Sequence, residues 1–535
     1  MTSPSPRIAG FTAIASLLVL GACGGTRLPE SAFNQRVITT TGPAGSDGTG
    51  LPGGTGTGTG SGQGGTGTGG SGLGGTGSGG SGLGGTGSGT GGSGTSGTGG
   101  GGTTGGTGNN GSGQTKTKSG GTVKNTASDR GVTPTSINVC NVVTKGGPFG
   151  PYQFTPSYYG AAAYFQALNA AGGVNGRKVN FVTHPDDGSD SGNLQQIHTC
   201  IDQNNAFAFV ANDIYQYAGA GYVNQKGIPD IGGAPISTAY YLYPHLFAIY
   251  GDHTPRNGKT LGDNGYNYRT DQDALFLKDK QHVTHVGVVF YDQASSQYGA
   301  NNIENEFKTA GVKVTPYQVN LGLPNFQSVV AQMKSDGVDI VADAIDLNGS
   351  QKLCQAIEQN GAFLKQMKVK LSTVANWTSS LGNDLKSTPG CLGKSWVDSQ
   401  SANFADSSNP QVAAYNAAMR KYFPSDLPHN HQFGLEGWAA AMWFTDAARS
   451  CGANLTRVCV EKFMNRPQPY SARGLMETPL TSFKLYSSSY AVGAHRQCVS
   501  MAQWSLSKHT WVTRASLQHD CYTAKGFKFQ LTPPT

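Results

Sequence analysis

The chain has 535 residues, room for two to four domains, and 80 of them are glycine, about twice the usual 7% share. About 41 of those glycines lie between Gly42 and Gly121 at irregular spacing, so the excess belongs to one segment and a collagen helix is excluded. The net charge is +7, of which only about +3 falls in 126–535 and is evenly spread, which excludes an electrostatic nucleic-acid footprint and a charged tail.

At the N-terminus, Arg7 precedes an apolar run over 8–20. Thirteen or so residues are too few for a spanning helix, which needs about 20, and fit the core of an export signal. Leu20-Gly21-Ala22-Cys23 places small residues directly before a cysteine and is similar to a bacterial lipobox. That pattern implies a lipoprotein signal peptide over 1–22 and a lipid on the Cys23 thiol. No other segment has 18 consecutive apolar residues, so membrane attachment is expected through the lipid alone.

Residues 23–125 read as a tether. No charged side chain occurs between Asp47 and Lys116, and SGLGGTGSGG over 71–80 is nearly repeated over 81–90. Such a segment has almost nothing to bury against the entropy of ordering, which predicts a disordered coil. About 80 residues at roughly 5–6 Å × √n reach about 50 Å.

From 126 onward the pattern alternates. Apolar β-rich runs occur at 137–143, 179–183, 206–211, 283–290, 312–319, 340–344 and 369–373. Helical patterns fall between them, from Thr155-Pro156 to Gly172-Gly173 and over 194–201, 298–309, 326–335 and 350–360. This predicts an α/β fold of parallel sheets with helices on both faces, in two lobes separated near 250–280. With Cys23 assigned to lipid, eight cysteines remain, an even number suited to an oxidising compartment. Eight allow 105 pairings. Nearest-neighbour pairing is expected: Cys140–Cys200, Cys354–Cys391, Cys451–Cys459 and Cys498–Cys521. A 2-1-3 strand order would carry Cys200 over Cys140.

Other chemical signals are weak. Asn257-Gly258-Lys259-Thr260 ends like a phosphate loop, but His253 stands where the first glycine belongs. His429-Asn430-His431 reads as an exposed loop rather than a metal site, and no constellation argues for catalysis, a metal or a cofactor.

Gly172-Gly173-Val174-Asn175-Gly176-Arg177-Lys178, Gly227-Ile228-Pro229, Tyr298-Gly299 and His495-Arg496-Gln497 with Gln503-Trp504 and Trp511 carry a resemblance. From about 134 to 515 the chain resembles type 1 periplasmic binding proteins, nearest the branched-chain amino-acid (Leu/Ile/Val-binding) receptors of ABC transporters. The resemblance implies two doubly wound parallel-sheet lobes joined by three crossovers, with a small solute closed between them. The expected lobes are 134–252 with 380–475 and 253–379 with 476–535. It implies a monomeric, lipid-anchored receptor on the outer face of a bacterial membrane. Its partners would be an ABC permease and a small solute; a sensor of the same fold without a transport role is the alternative.

Ligands in such sheets bind beyond the carboxyl ends of the strands. The resemblance matches Tyr298 to a cleft tyrosine and Gly233-Ala234 to a backbone segment that holds the ligand. Phe149, Tyr152, Tyr215 and Trp377 stand in the same loops as candidate aromatic walls. Two departures stand out. Asp213 occupies a position where the family has a carboxylate-binding hydroxyl, or else caps a helix. Asn376 falls where an acid meets the ligand ammonium, leaving Asp346 or Asp213 to supply a charge. An Asp213 facing the cleft would repel an α-carboxylate. On that basis leucine, isoleucine and valine are expected to bind weakly, and a neutral or cationic solute is favoured.

Overall fold

The computed structural model describes residues 124–251, 254–406, 408–477 and 491–534. The export signal, Cys23 and the glycine-rich segment up to 123 lie outside the described residues.

The first lobe is built on β1 (Ser136–Asn141), β2 (Lys178–Thr183), β3 (Ala208–Val210), β4 (Asp230–Ile231) and β5 (Leu246–Phe247). They form one parallel sheet in the order β2-β1-β3-β4-β5. The helix Pro156–Ala170 starts on the proline anticipated at its first turn and crosses from β1 to β2. It packs on the helix Gln432–Ser450, and glycine sets the distance. A Cβ at Gly160 would lie 1.7 Å from Gly434 O, and one at Gly437 would lie 2.0 Å from Ser157 O. Only bare backbones can approach so closely.

The chain passes through β6 (Tyr266–Thr270) into the second lobe: β7 (His285–Tyr291), β8 (Lys313–Val319), β9 (Ile340–Ala344), β10 (Val369–Ser372) and β11 (Ser395–Asp398). β12 (Ala494–Cys498), β13 (Met501–Ser505), β14 (Thr510–Ala515) and β15 (Cys521–Gln530) close the sequence. The second sheet runs β14-β13-β11-β10-β9-β7-β8, parallel from β11 to β8, with the β13–β14 hairpin added antiparallel beside β11. All seven residues of β7 are buried, as expected of a strand covered on both faces. Pro316 is exposed in β8, the edge strand, where a missing N–H costs little. A third, antiparallel sheet, β12-β15-β6, packs against the helices Gln272–Gln281 and Ala294–Thr309.

Three crossings join the lobes: after β5, after β11 and after the helix Arg457–Met464. The second lies later than expected. β11 belongs to the second-lobe sheet, so the return to the first lobe comes after 398 rather than at 380. The strand is four residues long and follows two one-turn helices, which hid it from a strand–helix rhythm.

Four disulfides join Cys140–Cys200, Cys354–Cys391, Cys451–Cys459 and Cys498–Cys521. Cys200 lies in a π-helical turn, Thr199–Gln203, that extends the helix crossing above β1. Among the described residues no helix is long and apolar enough to cross a membrane.

Candidate functional site

The lobes meet around a cavity of about 240 Å³. Hydrogen bonds cross the cleft at several points. Leu347 N donates to Gln153 Oε1 at 3.3 Å, Ser295 Oγ donates to Tyr215 O at 3.3 Å, and the hydroxyls of Tyr241 and Tyr298 lie 2.8 Å apart. The two lobes are therefore in contact across the cleft.

Several expected residues converge on this cavity. Phe149 lines it with its ring 4.3 Å from that of Tyr215 and 5.5 Å from that of Phe154. Ala234 and Tyr298 line it too. The Tyr215 hydroxyl is buried without a hydrogen-bond partner. Burial, then the charges of Asp346 and Asp292, push it up to about 12, so it remains a neutral donor. Asp346 reaches the wall, but its oxygens are engaged. They accept from Asn348 N and Gly349 N, capping the helix Leu347–Gln359, and from Tyr291 OH at 2.6 Å.

The other expected residues lie elsewhere. Tyr152 is 45% exposed and stacks on His429, 3.7 Å between centroids, outside the cavity. Trp377 is fully buried against Trp511 and Phe404, a core residue rather than a cleft wall. Asn376 turns inward, its Nδ2 donating to Ile345 O at 2.9 Å. Gly233 and Asp213 lie against each other behind the wall: a Cβ on Gly233 would meet Asp213 Oδ1 at 2.5 Å. Asp213 neither faces the cavity nor caps a helix, the next helix having Gly219 as its N-cap. Burial, then Glu436 and Asp230, hold its carboxyl well above the usual range. The repulsion of an α-carboxylate therefore has no geometric basis. His431 is not in an exposed loop either: it is buried, and its Nδ1 accepts from Phe433 N to cap the helix Gln432–Ser450.

The largest feature that the sequence did not announce is acidic. Asp273, Glu306 and Asp398 line the cavity within the second lobe. Glu306 follows Ala300 and Ile303 and precedes Phe307 on one buried face of its helix, and a charge on an apolar stripe was a legible anomaly. Asp398 ends β11, a carboxyl end in the second-lobe sheet once that strand is placed. Asp343 also faces the cavity but is paired with Lys370 at 2.7 Å. The only set of three metal-type side chains clustered among the described residues is Cys140, His184 and Cys200, and two of those are joined as a disulfide.

A periplasmic binding protein family model matches residues 136–506. No curated protein matches the chain in sequence. Solved structures share its fold at low identity. A fatty acid ABC transporter substrate-binding protein from Thermomonospora curvata is 16% identical at TM-score 0.55, covering 74% of this chain and 94% of its own. A solute-binding protein of an R. palustris ABC transporter, in complex with 4-hydroxybenzoate, is 14% identical at TM-score 0.55, covering 74% and 98%. A branched-chain amino acid transporter substrate-binding protein from Streptococcus pneumoniae, in complex with isoleucine, is 13% identical at TM-score 0.53, covering 71% and 99%. With two lobes each built on its own main sheet, three crossings and a family match over most of its length, the chain belongs to the periplasmic binding proteins, and within them to type 1.

Proposed function

We propose that this protein is the solute receptor of an ABC importer, held at the outer face of the membrane by a lipid on Cys23. The observation that carries the reading is the cavity between the lobes, bridged by the Gln153–Leu347, Tyr215–Ser295 and Tyr241–Tyr298 hydrogen bonds. Each pairs a first-lobe residue with a second-lobe residue, so opening the hinge breaks all three. A ligand held by both lobes selects the closed form, and the closed form is what a permease distinguishes from the open one.

Phe149, Tyr215, Ala234 and Tyr298 are the proposed contacts. The three aromatic rings offer flat walls, and the Tyr215 hydroxyl is an unpaired hydrogen-bonding group. Relatives of the same fold are described with fatty acid, 4-hydroxybenzoate or isoleucine, so the fold does not choose the solute. A thermal-shift screen of the purified protein with amino acids, amides, polyamines, sugars and aromatic acids tests the reading. A ligand at 100 times its Kd stabilises by about 2.7 kcal/mol and raises the melting temperature measurably. Failure of every class to shift it would overturn the receptor reading. For the anchor, Cys23→Ser is expected to move the protein from the membrane fraction to the medium.

A further inference from the structure

The cavity does not end at the cleft. It follows the helix Ala294–Thr309 from Ser295 and Tyr298 to Glu306 and Phe307. Eight residues of helix, from Tyr298 to Glu306, carry it about 12 Å into the second lobe. Ile303, Phe307 and Leu371 give this channel apolar walls, and Asp273, Glu306 and Asp398 gather at its inner part.

Among the described residues, no lysine, arginine or histidine forms an ion pair with any of the three carboxyls. Arg269 also reaches the channel, but its Nη1 and Nη2 donate to Tyr268 O and Tyr241 OH. Glu306 Oε1 accepts from Ala274 N at 2.9 Å, and two other side chains on the channel carry an unpartnered oxygen. Gln272 is 3% exposed and Thr270 7% exposed, and neither Gln272 Oε1 nor Thr270 Oγ1 makes a hydrogen bond. Asp273 Oδ1 and Asn302 Oδ1 are unpartnered as well. All four atoms can accept hydrogen bonds. Buried acceptors without donors cost about 1–3 kcal/mol each, and a guest rich in N–H groups removes that cost.

We propose that the inner end of the channel is a cation subsite, taking a protonated amine or guanidinium joined to an apolar body that reaches back to the cleft. The inference rests on the solute-receptor reading and names the solute class. An organic cation fits better than a metal ion. The apolar walls of Ile303, Phe307 and Leu371 suit an organic body, and the three carboxyls do not form a compact cluster of metal-type ligands, whereas calcium takes about six to eight oxygens at about 2.3–2.6 Å. Burial, then the neighbouring acids, hold Asp273 and Glu306 well above their usual range, and burial raises Asp398 to about 7. A bound cation reverses that and draws protons off.

The test is a calorimetric panel of aryl and alkyl amines and guanidines, each with its isosteric alcohol and carboxylic acid, against the full chain. The cations are expected to bind at least tenfold more tightly than their neutral and acidic partners. D398N and E306Q are expected to weaken the cations tenfold or more and so to narrow their advantage over the matched alcohols. With wild type, titration in two buffers of different ionisation heat is expected to show net proton release on amine binding, a readout that needs no variant to fold. Alcohols or acids binding as tightly as amines, or amine binding without proton release, would overturn the cation subsite and leave the receptor standing. Calcium or magnesium chloride stabilising the protein more than any amine would also overturn it. No binding by any member, with no shift in the wider solute screen, would overturn both.

Discussion

Asp213 shows what a single residue hides from sequence. The resemblance implies a ligand-facing position for it after β3, and the structure places it three residues beyond the end of that strand. The side chain nevertheless points the other way, into a space left by Gly233, where a Cβ would lie 2.5 Å from Asp213 Oδ1 and 3.0 Å from Ser157 Oγ. Which way a loop residue turns depends on the neighbour that makes room for it, and that neighbour is 20 residues along the chain. The same pair gives a prediction. Gly233→Ala is expected to destabilise the protein by about 1–3 kcal/mol, the usual range for overpacking a buried site. Asp213→Asn, which keeps the shape and removes a buried acid that has no cation beside it, is expected to cost less than about 1 kcal/mol at pH 7. Urea titrations of both variants check this. A larger loss from Asp213→Asn than from Gly233→Ala would show that the carboxylate is ionised and paired. Trp377 carries a related lesson: an aromatic at a loop position is as consistent with packing as with binding, and the packing against Trp511 decides it.

At the scale of elements, strands with strong periodicity were legible and short ones were not. β7, β8, β9 and β10 fall within about two residues of the apolar runs that announced them. β4 and β5 have two residues each and β11 has four, too short for any period, and each is a strand only through its pairing in a sheet begun elsewhere in the chain. Asp398 sits at the end of β11, so a strand too short to be legible hid a residue of the site with it. Disulfides stitch these elements, and their separations rank their worth. In the loop-closure picture a cross-link spanning 60 residues, Cys140–Cys200, stabilises by about 4 kcal/mol, and one spanning 8, Cys451–Cys459, by about 2–3 kcal/mol. The double serine variant at 140 and 200 is therefore expected to melt below the one at 451 and 459. The reverse order would show that the short link, which ties the ends of two helices that return to the first lobe, acts through native contacts rather than through the unfolded chain.

At the scale of the whole molecule, the buried acids make stability depend on pH in a direction opposite to ordinary acid denaturation. Burial raises Asp230 to about 6, Asp398 and Glu436 to about 7 and Glu477 to about 8. Around Glu436, the hydroxyls of Tyr250, Ser399 and Ser401 donate to Oε1, and Asp213 lies near enough to be raised by it. Asp273 and Glu306 face Asp398. Below about pH 4 these groups hold their protons folded or unfolded, and their full contribution is present. Between about pH 4 and 8 the unfolded chain releases protons that the folded chain keeps, so unfolding becomes easier with every step upward. Raising a carboxyl's pKa by one favours its protonated form by about 1.36 kcal/mol, so the rise at Glu436 by itself is of order 3 kcal/mol. The surface acids Asp187, Asp292 and Asp336 are shifted downward and act in the opposite sense, but they are solvated and screened. The free energy of unfolding is thus expected to fall by about 3 kcal/mol or more from pH 5 to pH 8, and Glu436→Gln is expected to flatten the curve. An amine that binds beside Asp398 is expected to flatten it as well, since a cation there favours the ionised form that the protein alone resists. Urea denaturation at stepped pH, with and without amine, measures all three slopes. A stability that climbs toward pH 8 without amine would mean that these carboxyls are already ionised and compensated.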